Sequence, residues 1–304
     1  MKPRKSKLLL CICGPTASGK TALSLSLAEK YHCSILNADS RQFYREMNIG
    51  TAKVGEDEGK GIVHYFINNL SICEDYNVFT YEKEAIARLD EIFKRDSTAI
   101  VVGGSGLYLH AIWEGIDKDL PGPDLSLRKQ MKQEFEENGI EALRNRLQRL
   151  DEDRYEEIDK NNPVRLMRAI EICEQSEKTT SRIRSSRAVE RPFDILKIAI
   201  DTERAELHKR IEARVGEMMD KGLVEEVRSL LPYREKNALQ TVGYRELFQY
   251  FDGELSLEEA REKIVVNTRR YAKRQLTWLR RYKDIHWFKT GEEDKIINLI
   301  EKHS

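Results

Sequence analysis

KLLLCICGPTASGKT, residues 7–21, decides the architecture of this 304-residue chain. Its first half, KLLLCIC (7–13), is apolar without alternation, the pattern of a strand buried on both faces. The second half, GPTASGKT (14–21), fits G-x-x-x-x-G-K-[ST], and residues 20–31 carry the spacing of the helix that this motif requires. Small residues at Gly14, Pro15, Thr16, Ala17, Ser18 and Gly19 leave room for phosphate oxygens among backbone N–H groups, with a helix N-terminus adding positive potential. Lys20 supplies a point charge and the Thr21 hydroxyl a ligand for Mg²⁺. A chance match at a strand-to-helix turn is the competing explanation, and the flanking strand and helix patterns oppose it. The motif alone predicts a phosphate, not the molecule that carries it.

Beyond the loop, CSILNAD (33–39) reads as a second strand ending at Asp39, 80–95 as a helix, and TAIVV (98–102) as a third strand entering the glycine turn GGSGLYL. Strands alternating with helices predict a doubly wound parallel sheet with helices on both faces. DKDLPGPDLS (117–126) is a punctuated connector, and from Leu125 to about Ser176 the chain is charged and helical in pattern. After a second polar linker, FDILKIAID (193–201) returns to core-strand character, and 203–304 is mostly helical. The expected organisation is a catalytic core of 1–115 and 198–304 interrupted by an all-helical insertion, 116–197.

Composition sets limits. Hydrophobic residues at 40% and charged residues at 34% mark a globular chain. Lys plus Arg (52) balance Asp plus Glu (52), so nucleic-acid affinity would have to come from local patches. The five cysteines form no CxxC pair and no metal-ligand cluster, which predicts reduced thiols in the cytoplasm. Basic residues before 7–13 imitate a secretory leader, but the short run enters the glycine loop without a cleavage site. No stretch is long enough to span a membrane.

Several residues are candidates for chemistry. Asp39 would sit beside the loop at the sheet's C-terminal edge, as a general base, a magnesium-associated carboxylate or a helix cap. Arg210 and Arg214, one helical turn apart, suit a departing diphosphate but equally a solvated surface. In VVNTRRYAKRQLTWLRRYK, an inward stripe of Ile264, Thr268, Tyr271, Gln275, Trp278 and Tyr282 leaves Arg269, Arg270, Lys273, Arg274, Arg280 and Arg281 on other faces. That basic surface could neutralise an RNA backbone or simply be solvated.

These segments, with NADSRQFYREMNIGTAK (37–53), VVGGSGLYLHAI (101–112), NPVRLMRAIEI (162–172), LVEEV (223–227), LQTVGYREL (239–247) and NTRRYAKRQLTWLRR (267–281), closely resemble the tRNA dimethylallyltransferases in order and across nearly the whole chain. The resemblance implies a P-loop NTPase-like core that binds dimethylallyl diphosphate with Mg²⁺ instead of hydrolysing a nucleotide. It implies transfer of the dimethylallyl group to the N6 amine of a flipped-out adenosine 3′ to the anticodon (position 37), in tRNAs reading codons that begin with U. Asp39, Ser105 and Arg214 become the implied catalytic residues, with Asp39 the base. The loop from Gly14 to Thr21, with Arg214 and Arg210, becomes the donor site, and Thr21 the metal ligand. Asp39, Ser40, Arg41, Gln42, Ser105, Arg128 and the run Val164, Arg165, Leu166, Met167 and Arg168 become implied contacts to the tRNA anticodon stem-loop. Ser105 stands where Thr is common, and Val54 where Pro is common. A cytoplasmic monomer is expected. The rivals are a prenyltransferase acting on free adenine nucleotides, a small-molecule P-loop kinase and a non-catalytic RNA-binding module. The insertion opposes the first, GGSGLYL and LQTVGYREL oppose the second, and Lys20, Thr21 and Asp39 would be idle in the third.

Overall fold

The computed structural model describes residues 7–55, 59, 61–117, 120–176 and 189–303. Six parallel strands form one sheet: β1 (Leu8–Cys13), β2 (Ile35–Asn37), β3 (His64–Tyr65), β4 (Thr98–Gly103), β5 (Asp194–Asp201) and β6 (His286–Lys289), in the order β3-β2-β4-β1-β5-β6. β1 is central, and its six residues explain the unalternating run. Leu9, Cys11 and Cys13 face one hydrophobic cluster while Leu8, Leu10 and Ile12 face another. Burying each Leu or Ile this way contributes roughly 1.5–3 kcal/mol.

The helices that supply the two clusters are α1 (Lys20–Tyr31) and α11 (Glu293–His303) on one face, and α2 (Val78–Ile92), α3 (Gly106–Trp113), α7 (Arg204–Asp220), α8 (Leu223–Ser229), α9 (Tyr244–Phe251) and α10 (Leu257–Leu279) on the other. The expected core elements are present. Two strands that pattern reading did not supply, β3 and β6, lie at the sheet's edges. All five cysteines are free thiols, and burial pushes Cys11 up to about 12, which keeps it protonated and unreactive.

The chain divides into two compact units, Met1–Glu114 with Glu190–Ser304, and Gly115–Val189. The second expected boundary, between 197 and 198, is corrected by β5. Leu8 pairs with Asp194 and Cys11 with Lys197, so 194–197 already belong to the core sheet. The other expected boundary differs by one residue. Within the smaller unit, α4 (Leu125–Leu150) breaks at Gly139 (φ 71°) and packs with α5 (Glu152–Glu157) and α6 (Pro163–Ser176) around Met131, Leu143, Leu147, Leu166 and Ile170. The second polar linker, TTSRIRSSRAVERP (179–192), lies largely outside the described residues.

Candidate active site at the phosphate loop

β1 delivers the loop to the C-terminal edge of the sheet, where the connection leaving β1 runs toward β2 and that leaving its neighbour β4 runs the other way toward β5, the usual crevice for a ligand in such folds. Positive φ at Ala17 (64°) and Gly19 (92°) turns successive amides toward one side, forming an anion-binding concavity ahead of α1. The buried Ser18 hydroxyl has no hydrogen-bond partner among the described residues, an orphan that a phosphate oxygen would satisfy. Lys20 Nζ donates to the Pro15 carbonyl at 2.6 Å. Burial, and then the nearby Arg214 charge, pull the Lys20 ammonium down to about 8, while Asp39 opposes the shift. Burial also lowers Arg214, again opposed by Asp39. Two desolvated cations beside one carboxylate make a site short of negative charge.

β2 ends in a tight turn that presents that carboxylate. Asn37 braces the turn by donating to the Asp39 and Phe66 carbonyls, while the Tyr81 hydroxyl donates to the Asn37 carbonyl at 3.0 Å. Asp39 Oδ1 accepts from the Arg41 amide at 3.0 Å, and no hydrogen bond to Oδ2 occurs among the described residues. One oxygen is thus held and the other is open to a substrate proton.

Thr16, Lys20, Thr21, Asp39, Arg41, Gln42 and Arg214 line one cavity of about 160 Å³. Its apolar wall is Ile211, Val215 and Met218 from α7, Val242, and Ile264 from α10; Thr268, Tyr271 and Gln275 continue the α10 side. The loop at 50–54 forms a further wall and is fixed from behind. Glu226 of α8 accepts from three successive amides, Asn48 (2.9 Å), Ile49 (2.7 Å) and Gly50 (3.0 Å), and from the Tyr244 hydroxyl (2.7 Å). Gln42 reaches under the same loop to the Thr51 carbonyl at 3.0 Å.

The glycine turn after β4 is shaped by close approach. A Cβ on Gly103 would stand 2.4 Å from the Ala38 carbonyl oxygen, and one on Gly104 2.2 Å from Gln275 Nε2. Ser105 caps α3, and its hydroxyl accepts from the Ser40 amide at 3.0 Å. Ser40 and Ser105 therefore brace the Asp39 turn and are not among the residues lining the cavity.

The other sequence candidates are placed elsewhere. Arg210 Nε donates to Glu206 at 2.8 Å and is not on the cavity wall; only Arg214 lies among Ile211, Val215 and Met218. Arg128 makes a paired contact with Glu171, and Arg168 bonds Glu171 and the Pro121 carbonyl. Leu166 is corrected as an RNA contact, because it is fully buried in the core of the helical unit. Val164 and Arg165 are exposed, and Met167 packs partly against that core. Gln275 and Glu226 had no assigned role in the sequence. For Gln275 the available signal is its place in the α10 stripe; nothing in LVEEV sets Glu226 apart from Glu225.

A second groove, of about 550 Å³, opens along the opposite face of α10 and the start of α7. Arg204, His208, Arg269, Arg270, Lys273 and Arg280 line it against two acids, Asp201 and Glu203.

The IPP transferase family profile matches residues 42–282. The tRNA dimethylallyltransferase 1 of Bacteroides thetaiotaomicron is 45% identical over 96% of this chain and 94% of its own. The tRNA dimethylallyltransferase of Christiangramia forsetii is 46% identical over 97% and 98%. Among solved structures, the tRNA isopentenylpyrophosphate transferase of Bacillus halodurans superposes with a TM-score of 0.73 at 31% identity, covering 97% of this chain and 96% of that one. A eukaryotic dimethylallyltransferase described as acting on tRNA gives a TM-score of 0.79 at 26% identity, covering 93% and 74%.

Proposed function

Because the chain belongs to the IPP transferase family of tRNA dimethylallyltransferases, we propose that its phosphate-loop cavity takes dimethylallyl diphosphate and delivers the five-carbon group to the N6 amine of an adenosine extruded from the anticodon loop. The observation that carries this reading is a single cavity with Lys20, Thr21 and Arg214 set against Asp39 beside an apolar wall. The cations and loop amides match a diphosphate, Ile211, Val215, Met218 and Ile264 match a hydrocarbon, and the carboxylate matches the amine.

Charge development gives each group its work. As the allylic carbon–oxygen bond breaks, negative charge grows on the diphosphate, where Lys20, Arg214 and the loop amides oppose it. The adenine amine is a poor nucleophile, because its lone pair is shared with the ring. The open Oδ2 of Asp39 takes the proton as the new carbon–nitrogen bond forms, while Arg41 N holds Oδ1 in place. The adenine must leave its stack to reach this depth.

Magnesium fits the donor set. Among the described residues no cluster of three His, Cys, Asp or Glu side chains could hold a metal unaided. A hydroxyl from Thr21 with diphosphate oxygens and water is the ligand set Mg²⁺ accepts, and it would supply neutralisation of the leaving group. The second groove offers cations to the RNA backbone. The enzyme is proposed to act as a cytoplasmic monomer, in keeping with its five free thiols; among the described residues no helix is long and apolar enough to cross a membrane.

The test is incorporation of label from dimethylallyl diphosphate, with Mg²⁺, into unmodified tRNA or AMP. Label is expected in tRNA alone. Label in AMP alone would make this a free-nucleotide prenyltransferase, and ATP consumption with label in neither would make it a kinase.

A further inference from the structure

Gln275 occupies an unusual place for a side chain in the middle of a long helix. It is buried, and its carboxamide lies between the phosphate loop and the glycine turn. Oε1 accepts from the Thr16 amide at 2.8 Å, and Nε2 donates to the Gly104 carbonyl at 2.9 Å. The two partners fix the orientation, since one is only a donor and the other only an acceptor. The space is filled as well as bonded, because Gly104 has no room for even a Cβ beside Nε2.

This removes anion-binding capacity from the strand end of the loop. Pro15 has no N–H. The Thr16 N–H is held by Gln275, and the Ser18 N–H donates back to the Pro15 carbonyl at 3.3 Å. The amides left for phosphate are Ala17, Gly19, Lys20 and Thr21, clustered at the start of α1. A phosphate loop that holds a triphosphate uses its backbone for the inner phosphates and its lysine for the outer ones. An additional phosphate at the Thr16 end would have to displace Gln275 and leave Gly104 O without its donor.

We propose that Gln275 is a specificity-determining residue that confines the loop to a diphosphate and excludes a triphosphate. The proposal rests on the donor site being the phosphate loop. The same carboxamide ties the donor loop to the turn whose Ser105 braces Asp39, so it is also a positioning residue for the acceptor side.

The experiment measures inorganic diphosphate and inorganic triphosphate as competitive inhibitors of label transfer to tRNA, in the wild type, in Gln275→Ala and in Gln275→Asn. The shorter Asn cannot span both partners, so it serves if the Ala variant does not fold. The wild type is expected to prefer diphosphate. Both variants should narrow that preference at least about tenfold, chiefly by gaining triphosphate binding, the size expected for one hydrogen bond to a charged group. A merely structural contribution would weaken both inhibitors in proportion. An unchanged ratio in folded variants therefore overturns the proposal while leaving the donor site intact. Inhibition of the wild type by neither anion overturns the donor-site reading and this proposal with it.

Discussion

Asp39 and Lys20 divide the chemistry, and their environments make separable predictions. Asp39→Asn keeps the shape of the turn but cannot take the amine proton. Turnover should fall about 10²–10⁴-fold with donor affinity retained, as measured by single-turnover transfer beside equilibrium binding; a matching loss of both would deny Asp39 its role as base. Lys20 is depressed to about 8 by burial and by Arg214. The protonated form holds the diphosphate, so kcat/KM for the donor should be flat below that pH and decline as pH rises through it. The limb should move upward in kcat, because the bound anion stabilises the ammonium. Lys20→Arg should erase the limb, and a pH–rate profile checks it. The motif made Lys20 and Thr21 legible in the sequence, and the strand end made Asp39 legible. The choice between Arg210 and Arg214 was not: positions four apart share a helix face, and only the line of buried Leu207, Ile211 and Val215 orients α7.

Among the elements, α4 and α6 are joined by an ionic knot. Glu171, fully buried, accepts from Arg128, Arg168 and the Asp124 amide. Burial alone would raise its pKa, but Arg128, Arg168 and that amide outweigh it and hold the carboxylate below the ordinary range. A depressed folded pKa means that the stabilisation is present above the unfolded value and lost as pH falls through the folded one. Acid should therefore loosen the helical unit, and Glu171→Gln should blunt that dependence. Glu171→Ala should cost about 3 kcal/mol in chemical denaturation, the low end for breaking a buried pair, because Arg128 keeps access to water. Long elements were the legible ones: α1 and β1 follow from their patterns nearly to the residue. β3, two residues long, and β6, half-exposed at an edge, carry no period for pattern reading to find. Gln275 falls on the inward face of α10 by its spacing alone, but its two partners come from distant segments that no local pattern joins.

For the whole molecule, zero net charge conceals a local excess of cations along α7 and α10. Binding of tRNA should weaken with salt, and Lys273→Glu should weaken it further and reduce the log–log slope by about 1 for each phosphate that is no longer neutralised. An unchanged slope would remove that groove from the RNA surface. The strand order has a consequence in time. Leu8 emerges early from the ribosome, yet its partners are Thr98 on one side and Asp194 on the other. The central strand that carries the phosphate loop, almost wholly apolar, is unpaired until residues 98–103 have been made and keeps one edge open until 194–199 follow. The helical unit, whose core lies within a shorter stretch, can close before β5 arrives. During synthesis, then, one of the first strands made lacks its second neighbour until about two thirds of the chain has been made, and its open apolar edge is exposed to aggregation until residue 199 is translated.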